Sequence, residues 1–246
     1  MTDVSDTEKT VGQWVVEQPA RARVFERLGM DYCCGGAKPL SEACQDKGIE
    51  PSEVLSMLEA ADRTREEDQQ TGEPDKLGLA ELADEIERTH HAYLRRELPR
   101  LHMLAVKVRD VHAERDERLR EVTAVYEAMM SELTMHMQKE EQVLFPMVRE
   151  IEQAQAMPAF HCGSLVNPIG VMEHEHRNAG DALARLRALT DGFTPPPWAC
   201  NTYRVLLDSL RQLESDLHEH IHKENNILFP KAIAIERRLR ERVEAG

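Results

Sequence analysis

His136-Met-Gln-Lys-Glu140-Glu-Gln-Val-Leu-Phe-Pro146 returns later in the chain as His220-Ile-His-Lys-Glu224-Asn-Asn-Ile-Leu-Phe-Pro230. Aligned position by position, the two copies share the His, the Lys, the Glu and the closing Leu-Phe-Pro. Both lie in long stretches rich in Leu, Met, Glu and Arg, where local propensity favours helix. Residues four apart share a helix face, so His136 stands beside Glu140 and His220 beside Glu224. Imidazole and carboxylate are usual protein ligands of first-row metals, iron among them. One copy alone would read as a solvated face. Two copies with the same ending point to a pair of metal-binding faces turned toward each other.

The repeat extends upstream, to His90-His91 before the first copy and His174-Glu175-His176 before the second. His91 precedes His136 by 45 residues and His176 precedes His220 by 44. Near-equal spacing describes a duplicated helix hairpin, with one histidine on each first helix and a His-x-x-x-Glu pair on each second. Duplicated hairpins form four-helix bundles, whose cores commonly hold metal between facing helices. The expected fold class is therefore all-α. The candidate ligands are His91, His136, Glu140, His176, His220 and Glu224. His90 competes with His91, about 100° away on the helix, and the spacing fits His91 slightly better. The order His-x-x-x-Glu is closer to haemerythrin than to ferritin, whose bundles carry Glu-x-x-His. Shared between two iron ions, the set gives each two imidazoles and leaves both carboxylates free to bridge. Six-coordinate iron then keeps room for an oxo or hydroxo bridge and an exogenous molecule such as dioxygen or nitric oxide. Glu141, Glu173 and Glu175 are candidate acceptors for imidazole N–H groups.

Composition sets the outer bounds. The chain has 246 residues, 45 acidic against 31 basic, and a net charge of −14, so no nucleic-acid footprint is expected. No apolar run is long enough to span a bilayer, and the first residues lack the order of a signal peptide. Five cysteines form no disulfide framework, which suits a reducing cytoplasm.

Residues 1–65 read as a small helical unit. Val11, Trp14 and Val15 share one helix face, and a second helix opens at Pro19 and closes at Gly29. Further helices are expected from about Pro39, holding Cys44, and from Pro51. So few apolar residues make a thin core that leans on a partner surface. Between the helices lies Asp31-Tyr32-Cys33-Cys34-Gly35-Gly36, where adjacent thiols beside two glycines predict a flexible, exposed turn suited to redox or metal chemistry. A polar linker is placed at 66–76 and the bundle at 77–246. Within the bundle, Pro99 predicts a kink or break, and Pro146 and Pro230 predict matched bends just past the two ligand pairs. Met129, Met130, Met135, Met137 and Met147 read as core filler, and His161-Cys162 as a weak loop pair.

A competing motif is His218-Glu219-His220-Ile221-His222, which fits the His-Glu-x-x-His pattern of zinc proteases. It would make His218 and His222 zinc ligands, and it leaves the duplication unexplained.

The Asp-Tyr-Cys-Cys-Gly-Gly turn in a short helical unit, followed by the duplicated His-x-x-x-Glu bundle, resembles the Repair of Iron Centres family. That resemblance covers nearly the whole chain. It implies a di-iron protein of the stress response that restores iron–sulfur clusters after nitrosative or oxidative damage, with damaged iron–sulfur proteins as partners. Cys33 and Cys34 would then be redox or iron-transfer thiols. The alternative is a haemerythrin-like carrier or sensor of oxygen, nitric oxide or iron. Whether the protein turns over a substrate, and whether it forms a homodimer, the sequence leaves open.

Overall fold

The computed structural model describes residues 7–18, 21–65 and 74–244. Pro19 and most of the linker expected at 66–76 lie outside the described residues. Helix dominates, and among the described residues a lone β-bridge pairs Thr10 with Pro39.

The N-terminal unit is built from α1 (Val11–Glu17), α2 (Ala22–Leu28), α3 (Leu40–Lys47) and α4 (Pro51–Arg65). Thr10 and Gln13 cap α1 reciprocally. Gly29 ends α2 at φ 63°, a left-handed conformation open to glycine at little cost. The four helices close over Trp14, Val24, Phe25, Leu40 and Leu58. That small core is completed by Ile221, which belongs to the bundle. The unit leans on the bundle, as its thin core requires.

A short 3-10 turn, Pro74–Lys76, leads into the bundle. Its first long helix is α5 (Leu79–Ile86), a π turn at Glu87–His91, and α6 (Ala92–His112). Its second is α7 (Arg118–Lys139), a π turn at Glu140–Leu144, and α8 (Phe145–Gln153). The third, α9 (Val166–Leu189), is α-helical throughout, and the fourth is α10 (Asn201–Lys223), a π turn at Glu224–Leu228, and α11 (Phe229–Glu244).

The prolines act differently from the expectation. The helix runs through Pro99 without a break. In place of bends at Pro146 and Pro230, the chain widens one turn earlier. Phe145 N–H bonds to Glu140 O and Phe229 N–H to Glu224 O, each spanning five residues instead of four. Ala92 N–H bonds to Glu87 O in the same way. Pro146 and Pro230 follow directly on the wide turns, in the first turn of a new α-helical run, where a missing N–H costs little. Isolated π turns are frequent at functional sites; here each of the three contains a candidate ligand.

Two apolar clusters fill the bundle. One gathers Leu94, Tyr126, Leu133, Met137, Leu183 and Leu217 with their neighbours, and the other Ile86, Leu144, Phe145, Met172, Leu228 and Phe229 with theirs. On every long helix the candidate ligands fall between members of the first cluster and members of the second. A polar layer is thus closed above and below by hydrocarbon. Met129, Met137 and Met147 are core as expected, whereas Met135 is 52% exposed and fills nothing.

Candidate metal centre

Six side chains that water would ordinarily solvate lie inside this layer. His91, His136, Glu140, His176, His220 and Glu224 are each at most 2% exposed. Burying ionisable groups is expensive unless partners or a metal compensate. They form two groups whose donor atoms lie within 4.8 Å of one another: His91 with His220, and His136 with His176, with Glu140 and Glu224 in both. In the second group His176 Nε2 is 3.0 Å from His136 Nε2 and 3.1 Å from Glu224 Oε2, and in the first His220 Nε2 is 3.0 Å from Glu224 Oε1. His91 Nε2 and His136 Nε2 approach Glu140 Oε2 at 3.3 and 3.4 Å.

The backs of three of the four imidazoles are anchored, while His220 Nδ1 is buried without a hydrogen-bond partner among the described residues. His91 Nδ1 is 2.6 Å from Glu141 Oε1, which Arg95 also holds. His136 Nδ1 is 2.9 Å from Glu175 Oε2, and Lys139 holds the other oxygen. His176 Nδ1 donates to Asn225 Oδ1 at 2.8 Å. Anchored Nδ1–H groups leave Nε2 lone pairs aimed into the layer, the usual outer support of metal-binding histidines. Two of the expected acceptors, Glu141 and Glu175, serve in this way; for His176 the acceptor is Asn225, not Glu173. Asn225 is the repeat counterpart of Glu141, so the duplicated alignment was the signal that would have found it.

Inside the layer, hydrogen bonding is incomplete. Among the described residues His91 Nε2, both Glu140 oxygens and Glu224 Oε2 are buried without a hydrogen-bond partner. Electrostatics tells the same story. Burial and the neighbouring Glu224 push the Glu140 carboxyl up, yet the histidines outweigh them and hold it below its usual range. Burial likewise opposes ionisation of Glu224, and His220 and His176 hold it well below. Burial disfavours the charged imidazole of His136, but Glu140 and Glu224 overcome it and push it up to about 9. His91 is also raised against burial, while burial lowers His220. The two carboxylates draw positive charge into the layer. Orphaned acceptors, converging lone pairs and ionised carboxylates fit divalent cations.

His90 lies outside both groups. Its Nδ1 is 2.9 Å from Asp216, its Nε2 is 3.0 Å from Lys223 Nζ, and its ring stacks on His220 with centroids 5.2 Å apart. Lys223 is buried and also pairs with Glu85 and Glu219, a network that no motif announced.

The zinc-protease pattern does not assemble. His218 and His222 both pack against the Tyr32 ring, and His222 Nδ1 faces Tyr32 O at 3.3 Å. Neither joins any group of metal-binding donors among the described residues. His161 and Cys162 also stay apart from such groups, with Cys162 Sγ directed at Met147 and at Ser164 O.

The thiol turn departs from the expected exposed loop. Tyr32 is 2% and Cys33 5% exposed, and Cys34 is half-buried. Asp31 organises it: Oδ1 accepts from the N–H groups of Cys33 and Cys34, and Oδ2 from Gly35. Asp31, Cys33 and Cys34 present donor atoms within 4.8 Å of one another. Apolar packing against Ile221 and carbonyls bound by Asn226 override the freedom that the glycines suggested.

Comparison with known proteins agrees with this architecture. Residues 82–232 match the hemerythrin HHE cation binding domain, and residues 7–62 match a domain of unknown function found at the N-terminus of ScdA-type chains. The iron-sulfur cluster repair protein YtfE of Citrobacter koseri is 35% identical over 94% of this chain and 99% of its own. The protein of the same name from Escherichia coli O81 is 36% identical over 92% of this chain and 97% of its own. The chain belongs to this family. The match to these relatives runs through both parts of the molecule, the N-terminal unit and the bundle. Among the described residues no helix is long and apolar enough to cross a membrane.

Proposed function

We propose that the protein is a di-iron protein that helps restore iron–sulfur clusters damaged by nitrosative or oxidative stress. The observation that carries this reading is the buried pair of His₂ groups sharing Glu140 and Glu224, in a chain whose relatives are named for cluster repair over nearly their whole length. His91 and His220 would hold one iron, His136 and His176 the other, and the two carboxylates would bridge. Bound there, the irons supply open coordination positions for an oxo or hydroxo bridge and for small ligands such as nitric oxide or oxygen. The chain's own residues do the rest. Glu141, Glu175 and Asn225 fix three imidazoles in the tautomer that offers Nε2. The apolar clusters on either side exclude water. A cavity of about 10 Å³ lined by Leu133, His136, Glu175, His176 and Ala179 has room only for a very small molecule beside these two histidines. Glutamate moves readily between bridging and terminal binding, which fits a metal that can be given up. Cys33 and Cys34 are soft donors able to take iron on its way to a damaged cluster.

The test is metal analysis with a visible spectrum of freshly purified protein, followed by reactivation of a nitric oxide-damaged iron–sulfur enzyme in cytoplasmic extract. Repair requires reactivation that depends on the bound iron and falls when Cys33 and Cys34 are changed to serine. Reversible oxygen binding, no reactivation and indifference to both thiols would make the protein a carrier or sensor instead.

A further inference from the structure

Three consecutive residues of one π turn face three different parts of the molecule. Glu224 enters the metal layer, with Oε1 3.0 Å from His220 Nε2 and Oε2 3.1 Å from His176 Nε2. Asn225 holds the back of His176. Asn226 points toward the N-terminal unit, its Nδ2 also lying 3.3 Å from His222 Nδ1 on its own helix. Its Nδ2 donates to Cys33 O at 3.1 Å and lies 3.4 Å from Tyr32 O. Its Oδ1 fits between Gly12 and Gly36 so closely that a Cβ at either position would lie 2.5 or 2.6 Å from it. Gly12 and Gly36 are themselves joined, Gly12 N–H donating to Gly36 O at 2.8 Å. Asn226 is therefore a peg seated in a two-glycine socket of the thiol-bearing unit. On the other side of the same turn, Cys34 Sγ lies 3.9 Å from the Cβ position of Gly180, one helical turn beyond His176 on α9.

The duplication provides an internal control. In the first hairpin Glu140 and Glu141 match Glu224 and Asn225 in place and in task, one facing the layer and one anchoring a histidine. The next residue breaks the match. Gln142 is exposed and nothing docks on it, whereas Asn226 is half-buried under the N-terminal unit. Among the described residues the second copy alone contacts the thiol turn, through the Cys33 carbonyl, at the residue two after a candidate ligand.

We infer that Asn226 is a positioning residue, coupling the Cys33-Cys34 turn to occupancy of the metal centre. The inference rests on the reading of Glu224 as a ligand. A π turn is a rare widening of a helix, frequent at functional sites, and ligation through Glu224 holds it in the wide register. When the metal leaves, that restraint is lost, the turn relaxes and Asn226 withdraws from its socket. The thiol turn then loosens at the stage when iron has been released. Coupling of this kind is reciprocal, so a loosened thiol turn also lets iron go faster.

Thiol-reagent labelling with peptide mapping, run on full-length protein with and without ferrous iron, reads the coupling directly. In the wild type, iron should slow labelling of Cys34 by roughly tenfold, the scale of one lost hydrogen bond to a well-packed turn. Asn226→Asp keeps the shape and removes the donor; Asn226→Ala removes both. Each should label Cys34 fast with or without iron, retain helicity and saturating iron content, and release iron to a chelator several-fold faster. Gln142→Ala, the repeat-matched control, should behave as wild type. A structural peg without coupling would speed labelling in both variants but leave its iron dependence intact, and that result overturns the inference. Equal labelling in all proteins at full iron content also overturns it while leaving the ligand set standing. Failure of the wild type to hold iron overturns both.

Discussion

The Nε2 atoms of His136 and His176 face each other 3.0 Å apart in the buried interior of the bundle. Each ring has its Nδ1 committed, His136 to Glu175 and His176 to Asn225. With both Nδ1 atoms protonated, two lone pairs converge, and only a shared proton or a cation relieves them. Metal bonds of about 2.1 Å at right angles put two donors about 3.0 Å apart, so the spacing suits a common ion. Iron content should therefore be about two per chain. His136→Ala, His176→Ala or His220→Ala should cut it at least by half, and His218→Ala or His222→Ala should leave it unchanged. Zinc at about one per chain, lost with His218 and His222, would reject this ligand set.

Removing the metal should also soften the fold. A ligand bound only by the native state stabilises it by mass action, and without one the layer holds four unpartnered buried atoms of His91, Glu140 and Glu224. Each such atom costs about 1–3 kcal/mol, and for a chain of this size 1 kcal/mol shifts Tm by roughly 2–4 °C. Chelation should lower the wild-type Tm by at least about 8 °C, followed by circular dichroism. Glu224→Gln should melt lower and respond little to the chelator. A wild-type Tm indifferent to chelation would count against metal in this layer.

Much of the site was legible because helical ligand pairs are local. A histidine and a glutamate four apart declare a shared face, and the duplicated spacing declares which helices meet. What escaped depends on tertiary contact. The π turns shift the ladder by one residue around His91, Glu140 and Glu224, and no propensity scale distinguishes five residues of π turn from α-helix. Asn225 was passed over because an amide beside a glutamate looks like surface, although its repeat counterpart Glu141 marked the position. Lys223, which the repeat shows only as a shared lysine, is buried among Glu85, Glu219 and His90. Cys33 looked mobile because adjacent glycines say so, and packing on Ile221 overruled them.

Cys33 and Cys200 should differ in reactivity. The Cys34 hydrogen bond, burial and Asp31 push the Cys33 thiol well above its ordinary value of 9.0. A raised value keeps Cys33 protonated, and the thiol is the unreactive form. At neutral pH, iodoacetamide should modify the exposed Cys200 readily and Cys33 hardly at all. Labelling of Cys33 should appear only as pH rises past about 9, provided the fold persists. Mass mapping of a pH series checks this, and early labelling of Cys33 would mean that its turn is open.

The bundle should hold metal without the N-terminal unit, although at a cost in stability. All six candidate ligands lie beyond residue 90 and none of their anchoring partners comes from residues 1–65. A chain beginning at Lys76 should therefore fold as a helical bundle and reach the same saturating iron content. It loses the cover over Ile221, now 2% exposed, which is worth about 1.5–3 kcal/mol for a large aliphatic side chain. A Tm drop of several degrees should follow, and Ile221→Gln should cost the shortened chain much less than it costs the full-length one. Iron should also leave it faster, because Asn226 no longer has a socket to hold its turn. A shortened chain that folds yet purifies without iron, even when iron is supplied in excess, would require ligands from the thiol unit and would displace His91 or His220 from the scheme.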